Sequence, residues 1–346
     1  MTIRTCLLAS VAFALPLSAA AQTLTVFEYS GFEDPAFHST YVAKHGASPD
    51  FAFFGDEEEA FQKLSSGYNE PGLTHICAGS VTKFVESGII EPWDTSRIAA
   101  FDDLNSDLTG TSVLTEGETY FIPADYGSTA IAYNADEVPA EDVASLNVFL
   151  NPKYQGRVSI PDNVDDAFAL AYLATGVTDW STVDDAQFEA AADWLRQAHA
   201  NMRTYWVDPG ELSQLLSSGE VLVSWAWNET LPTMVEENFP IGFQREAAEG
   251  SSLWVCGYVN MADSESSEDL VYDYLNAFLD ASSTQALMDN GYGQANLTAF
   301  NAQIDEAGRV AGGLGPVSAP VLAQLPMPGQ LREKQATVFE RIKAGF

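Results

Sequence analysis

The chain has 346 residues, with 15 Lys or Arg against 49 Asp or Glu, a formal charge of −34. That balance excludes a nucleic-acid binder held by phosphate neutralisation, because such a surface repels a polyanion in every orientation. Apolar residues at 46%, together with 20 Phe, 13 Tyr and 7 Trp, exclude a disordered acidic chain and supply core enough for two domains or one large α/β unit.

The first segment carries one positive charge at Arg4, an apolar run from Cys6 to Leu17, and the small residues Ser18-Ala19-Ala20-Ala21. This is the pattern of a secretory signal peptide over residues 1–21, cleaved after Ala21. The run is too short to span a bilayer, and Cys6 lies too far from the small-residue site to serve as a lipid anchor. Removal of Arg4 leaves 14 − 49 = −35, and a soluble protein in an oxidising compartment is expected. Cys77 and Cys256 then remain. A bridge between them and two small buried apolar side chains both fit the sequence, since spacing alone does not test the Cα separation a disulfide needs.

Leu24 to Tyr29 alternates β-branched and aromatic residues and predicts a first strand. Asp34-Pro35 opens a helix through Phe37, Tyr41 and Val42; a second strand is predicted at Asp50 to Phe54 and a helix at Glu57 to Leu64. Thr74 to Ala78 is short and apolar, like a buried parallel strand, and the helix Val81 to Glu86 ends at the C-cap signal Ser87-Gly88. Near residue 120, two β-like runs, Tyr120–Pro123 and Thr129–Asn134, flank Ala124–Ser128, which predicts one strand leaving a sheet and another entering a second sheet, with a hinge between. Further on, strands are predicted at Arg157–Ile160, Val221–Trp225 and Leu253–Met261. Helices are predicted at Asp166–Ala174, Asp185–His199, Glu268–Leu279, Gln285–Asn290 and Glu333–Ala344. The expected fold is α/β with two lobes and a cleft that closes by hinge motion. Lobe I takes residues 22–127 plus 257–300, and lobe II residues 128–256 plus 301–346.

No GxSxG elbow, phosphate-binding loop or dinucleotide fingerprint occurs, and four His without HExxH spacing give no metal-site pattern. Adjacent acids such as Asp165-Asp166 read as a solvated face in a chain with 49 carboxylates, and His75 reads as structural. No nucleophile stands with its base, so an enzyme is not expected, and neither a cofactor nor a metal is called for.

From Val81 onward the sequence resembles the periplasmic spermidine/putrescine-binding family, the extracellular solute-binding proteins of ABC importers. The resemblance rests on Gly88 through Ile98, on Phe101-Asp102-Asp103-Leu104-Asn105, and on Ile122-Pro123-x-x-x-Gly127-x-Thr129-Ala130-Ile131. Pro152-Lys153-Tyr154-Gln155-Gly156, Trp227-Asn228, Gly291-Tyr292-x-x-x-Asn296 and Lys343-Ala344-Gly345 follow at matching intervals. It implies the two-lobed periplasmic-binding-protein (type II) fold with a hinge of crossing strands, and a monomer that delivers its ligand to a membrane permease and ATPase.

The resemblance also implies a site in which aromatic faces hold the methylene stem of a polyamine, or of a related cationic amine, while acids bind its amino ends. Aligned on those motifs, the aromatic positions fall at Tyr29, Phe32, Tyr126, Trp227, Trp254 and Tyr292, with an acid at Asp166. The other family acids are replaced by Gly31, Asn163 and Cys256. Asp125 beside Tyr126 is a candidate compensating acid, as are Glu28 and Glu229, although strand alternation turns Glu28 away from Tyr29. Ser80 is a candidate polar contact. The exact ligand and the permease are left open, and a quaternary amine or an amino-acid-like compound is the alternative. A ferric-ion carrier of the same fold lacks its expected Tyr-Tyr pair here, and an exported hydrolase lacks a constellation.

Overall fold

The computed structural model describes residues 23–109, 114–115 and 117–346, so the signal-peptide expectation lies outside the described residues. The parallel strands β1 (Thr25–Tyr29), β2 (Asp50–Phe54) and β3 (Pro71–Cys77) open the chain, with β1 between the other two. Helix α1 (Glu57–Ser65) starts where Asp56 accepts a hydrogen bond from the Glu59 amide, satisfying one of the donors a helix start leaves free. The helix Val81–Ser87 stops at Gly88, whose φ of 71° is the left-handed C-cap conformation that glycine adopts without strain.

Residues 121–134 depart from the expected break between two sheets. They form one uninterrupted strand, β4 (Phe121–Asn134), within one sheet. Turn-prone Asp125-Tyr126-Gly127 stays extended because partners pair along it on both sides: Tyr126 faces Val255 on one flank and Gly293 on the other. Tertiary pairing overrides the local turn signal.

Beyond β4 come β5 (Val158–Pro161), α2 (Val164–Ala174), α3 (Asp185–His199), β6 (Met202–Trp206) and β7 (Val223–Trp227). The antiparallel strand β8 (Ser251–Met261) follows, then α4 (Glu268–Phe278) and the terminal helix α5 (Gly329–Lys343). Helix α2 begins two residues before the expected Asp166, because Asn163 caps it through the amides of Asp165 and Asp166. Asp184 and Gln187 close a reciprocal capping box on α3. Strand β6 and the strand Ile241–Gln244 were not predicted.

Among the described residues the main sheet runs β2-β1-β3-β8-β4-β7-β5-β6. Its outer portions are parallel, whereas the joints β3/β8, β8/β4 and β4/β7 are antiparallel. So β3, expected as a parallel strand, is parallel to β1 and antiparallel to β8. The apolar residues collect on either side of that centre. Val26, Phe27, Phe121, Tyr258 and Phe278 belong to one core, and Ile131, Val158, Phe168, Trp180 and Phe339 to another. Strand β4 contributes its first residues to the former and Ile131 to the latter, so Asp125 to Thr129 fall at the seam.

Candidate functional site

The seam is floored by an ionic triad. Glu28 on β1, His75 on β3 and Asp125 on β4 are all fully buried. The His75 ring donates through Nδ1 to Glu28 Oε1 at 2.6 Å and through Nε2 to Asp125 Oδ1 at 2.8 Å. A ring that donates from both nitrogens is an imidazolium. The two flanking carboxylates outweigh burial and push its pKa up to about 10. Glu28 also accepts from the Tyr29 amide and the Tyr258 hydroxyl, both at 2.9 Å. Its burial raises its pKa, while His75 and these donors oppose the rise, and Glu28 accepts three hydrogen bonds in all. Glu28 is thus fully buried and completes the triad. Asp125 Oδ2 is buried with no hydrogen-bond partner.

Rings wall this floor. Phe32 meets the His75 ring edge-on at 4.7 Å and stacks on Tyr292 at 4.9 Å. Tyr29 lies edge-on to His75 at 5.6 Å, and Trp254 edge-on to Tyr292 at 6.1 Å. Trp254 lies across the β4 backbone at Gly127, where any Cβ would fall inside its indole. That close approach is why glycine is needed there.

On the far side of the seam, Asp166 in the first turn of α2 takes the Trp227 indole N–H at 2.7 Å, the Thr129 hydroxyl at 2.8 Å and the Gln324 amide at 3.0 Å. Asp165 and Asp166 are both buried, 4% and 3% exposed, so they are not the solvated face that their abundance predicts. Glu229 packs against Gly291, where an added Cβ would fall 2.6 Å from the Glu229 Cβ. Burial, with Asp125 and Asp166 nearby, pushes its pKa up to about 8. Asn228 locks this corner by donating to the carbonyls of Gly291 at 2.6 Å and Gly312 at 2.8 Å.

Of the predicted residues, the structure brings together Tyr29, Phe32, Asp125, Asp166, Trp227, Trp254 and Tyr292. Ser80 sits in the turn after β3, buried, its hydroxyl without a hydrogen-bond partner. Tyr126 is on the face of β4 opposite Asp125, as the pleat requires of neighbouring residues, and its ring packs edge-on against Phe300 at 5.9 Å. Cys77 and Cys256, left open by the sequence, are joined in a disulfide between cross-strand partners on β3 and β8. Sequence reasoning missed Gln324 and the role of His75 as the cation between two acids. It also missed Arg332, 3% exposed, which pairs with Glu58 and lies 3.3 Å from Asp165.

Residues 53–309 match the bacterial extracellular solute-binding protein family. The chain belongs to that family. Among its relatives, the spermidine/putrescine-binding periplasmic protein of Escherichia coli is 24% identical over 268 residues, covering 76% of this chain and 75% of the relative. The putrescine/agmatine-binding protein of Pseudomonas aeruginosa is 23% identical over 261 residues, 70% of each chain. Among solved structures, a putative spermidine/putrescine ABC transporter protein from Listeria monocytogenes superposes with a TM-score of 0.80 at 17% identity, covering 93% of this chain and 99% of that one. A binding protein of A. tumefaciens in complex with glucopine gives 0.75 at 16% identity, with the same coverage. This solute-binding protein therefore has the two-lobed periplasmic-binding-protein fold that its motifs imply.

Proposed function

We propose that this chain is the periplasmic, monomeric substrate-binding component of an ABC importer that captures a polyamine or a related cationic amine and presents it to a membrane permease. Lobe I (residues 22–127 and 257–300) and lobe II (residues 128–256 and 301–346) close about β4 and β8, and ligand contacts from both lobes stabilise the closed form. The observation that carries this reading is a wall of four rings, Tyr29, Phe32, Tyr292 and Trp254, beside Asp125, whose Oδ2 has no hydrogen-bond partner. Ring faces attract cations and cover methylenes, each contact contributing about 0.5–2 kcal/mol. Asp125 receives the charged end, Asp166 adds its negative charge beside it, Trp227 adds a further ring, and Ser80 adds a polar contact. The net charge of −34 raises the local cation concentration and so the capture rate.

A second reading, a same-fold receptor for a quaternary amine or an amino-acid-like solute, is favoured by one observation. Where the resemblance calls for acids, this chain has Gly31, Asn163 and a Cys256 engaged in a disulfide. A thermal-shift screen across putrescine, spermidine, betaines, amino acids and ferric ion separates these readings, because a ligand that binds only the native state raises the melting temperature. A shift with any cationic amine supports the proposal. A shift only with ferric ion, or with no amine in the panel, overturns it.

A further inference from the structure

We propose that the Arg332 guanidinium is a built-in cation that fills one end of the cleft, so that the receptor takes a ligand with a single cationic centre and rejects extended polyamines. This deepens the amine reading above and rests on it.

Three carboxylates from both halves of the molecule converge on Arg332. Glu57 and Glu58 open α1 in the first half, and Asp165 opens α2 in the second. Arg332 itself reaches in from α5 with only 3% of its surface exposed. It pairs with Glu58 and Asp165, and Glu57 adds to the field that keeps it charged. Lys83 neutralises Glu58 further at 2.5 Å. Asp165 finds its place because residue 79 is glycine: a Cβ there would stand 2.5 Å from Asp165 Oδ2.

This cluster adjoins the ring-walled site. Burial and then the Glu57 charge raise the pKa of the Tyr29 hydroxyl, and the Glu57 charge is also felt by Asp166. Asp165 and Asp166 are neighbours on one helix turn, the former turned to Arg332 and the latter to Trp227. A ligand lying along the rings from Tyr292 toward Tyr29 therefore runs into acids that already hold a cation.

The acceptor capacity that remains lies elsewhere. Asp166 is engaged by three donors, Thr129, Gln324 and Trp227. Asp125 Oδ2 is buried and unpartnered, and the Asp125 charge acts on Glu229. These two acids define one locus, sized by charge for one ammonium. A second ammonium, three or four methylenes away, has to displace Arg332 or remain desolvated without a partner.

The test is titration calorimetry of the purified protein with butylamine, a betaine, putrescine and spermidine, repeated on Arg332→Gln. The wild type is expected to bind at least one single-cation probe tenfold or more tighter than spermidine. Arg332→Gln is expected to gain tenfold or more for putrescine relative to that probe. A wild type that prefers spermidine overturns the proposal while leaving the amine reading intact, and so does a folded Arg332→Gln protein with an unchanged ratio. The wild-type ranking decides the matter even where the variant does not fold. Failure of every amine to bind the wild type overturns the amine reading, and this proposal with it.

Discussion

Cys77 and Cys256 are direct cross-strand partners on β3 and β8, joined by a disulfide, and Cys256 also pairs across to Asp125 on β4. The side chain at a position where the resemblance calls for an amine-binding acid is thereby committed to a covalent tie beneath the site. The bridge links residues 179 apart in the chain and so restricts a long loop in the unfolded state. Reduction, or the paired substitution Cys77→Ala with Cys256→Ala, is expected to cost about 2–5 kcal/mol of stability. Denaturant unfolding with and without a reductant measures it; identical midpoints would show that the bridge contributes nothing.

The triad predicts both a mutational cost and a pH dependence. His75→Leu leaves Glu28 and Asp125 buried without their shared cation, a loss of about 3–5 kcal/mol. The folded-state pKa of His75, about 10, lies above its ordinary 6.5, so its contribution is full below pH 6.5 and is lost as pH rises through about 10. Chemical unfolding at pH 6.5 and at pH 10 should therefore show lower stability at the higher pH, with a smaller difference in His75→Leu.

Glu229 links capture to protons. With its pKa raised to about 8 it is largely neutral at pH 7, and a bound ammonium favours its ionised form. Binding then releases a proton, and amine affinity should rise with pH from 6 toward 8, by up to about tenfold per unit. The effect on folding has the opposite slope: stability from the raised pKa is present below the ordinary 4.5 and lost as pH rises through about 8. Calorimetry in buffers of different ionisation enthalpy counts the released proton. Glu229→Gln should flatten the pH profile, and a wild-type affinity that stays level across this range would exclude the linkage.

Trp227 offers two separable contributions. Trp227→Ala removes both the ring and the N–H that Asp166 accepts, and should weaken binding of the amine at least tenfold. Trp227→Phe keeps an aromatic face and removes only the hydrogen bond to a charged acceptor, which is worth about 1.5–3 kcal/mol. Equal affinities for wild type and Trp227→Ala would place Trp227 outside the site.

Much of the scaffold was legible because its signals are local. The strand Asp50–Phe54 and the helix Asp185–His199 emerge with the boundaries that alternation and periodicity predict, and Gly88 caps its helix as its position implies. Strand β6 escaped because it follows α3 after a short turn, and its β-prone Thr204-Tyr205-Trp206 is too brief to stand out. The run at Ala124–Ser128 misled for the opposite reason. Its turn chemistry is real, yet β8 and Gly293-Gln294 supply pairing partners that hold it straight. In the site, the aromatics and Asp166 came from motif alignment, whereas Asp165 read as part of a solvated face among 49 carboxylates.

Composition and periodicity alone determined that this is an acidic, aromatic-rich α/β protein unsuited to nucleic acid, and they marked most of its helices and strands. Those properties depend on total charge or on contacts a few residues apart. Only the tertiary structure decided which charges are buried and which cation answers them. Glu28 and His75 are 47 residues apart in the chain, His75 and Asp125 are 50 apart, and Glu58 and Arg332 are 274 apart. The ionisation of a carboxylate depends on its burial and on the charges within a few ångströms of it, and the chain reveals neither until it has folded.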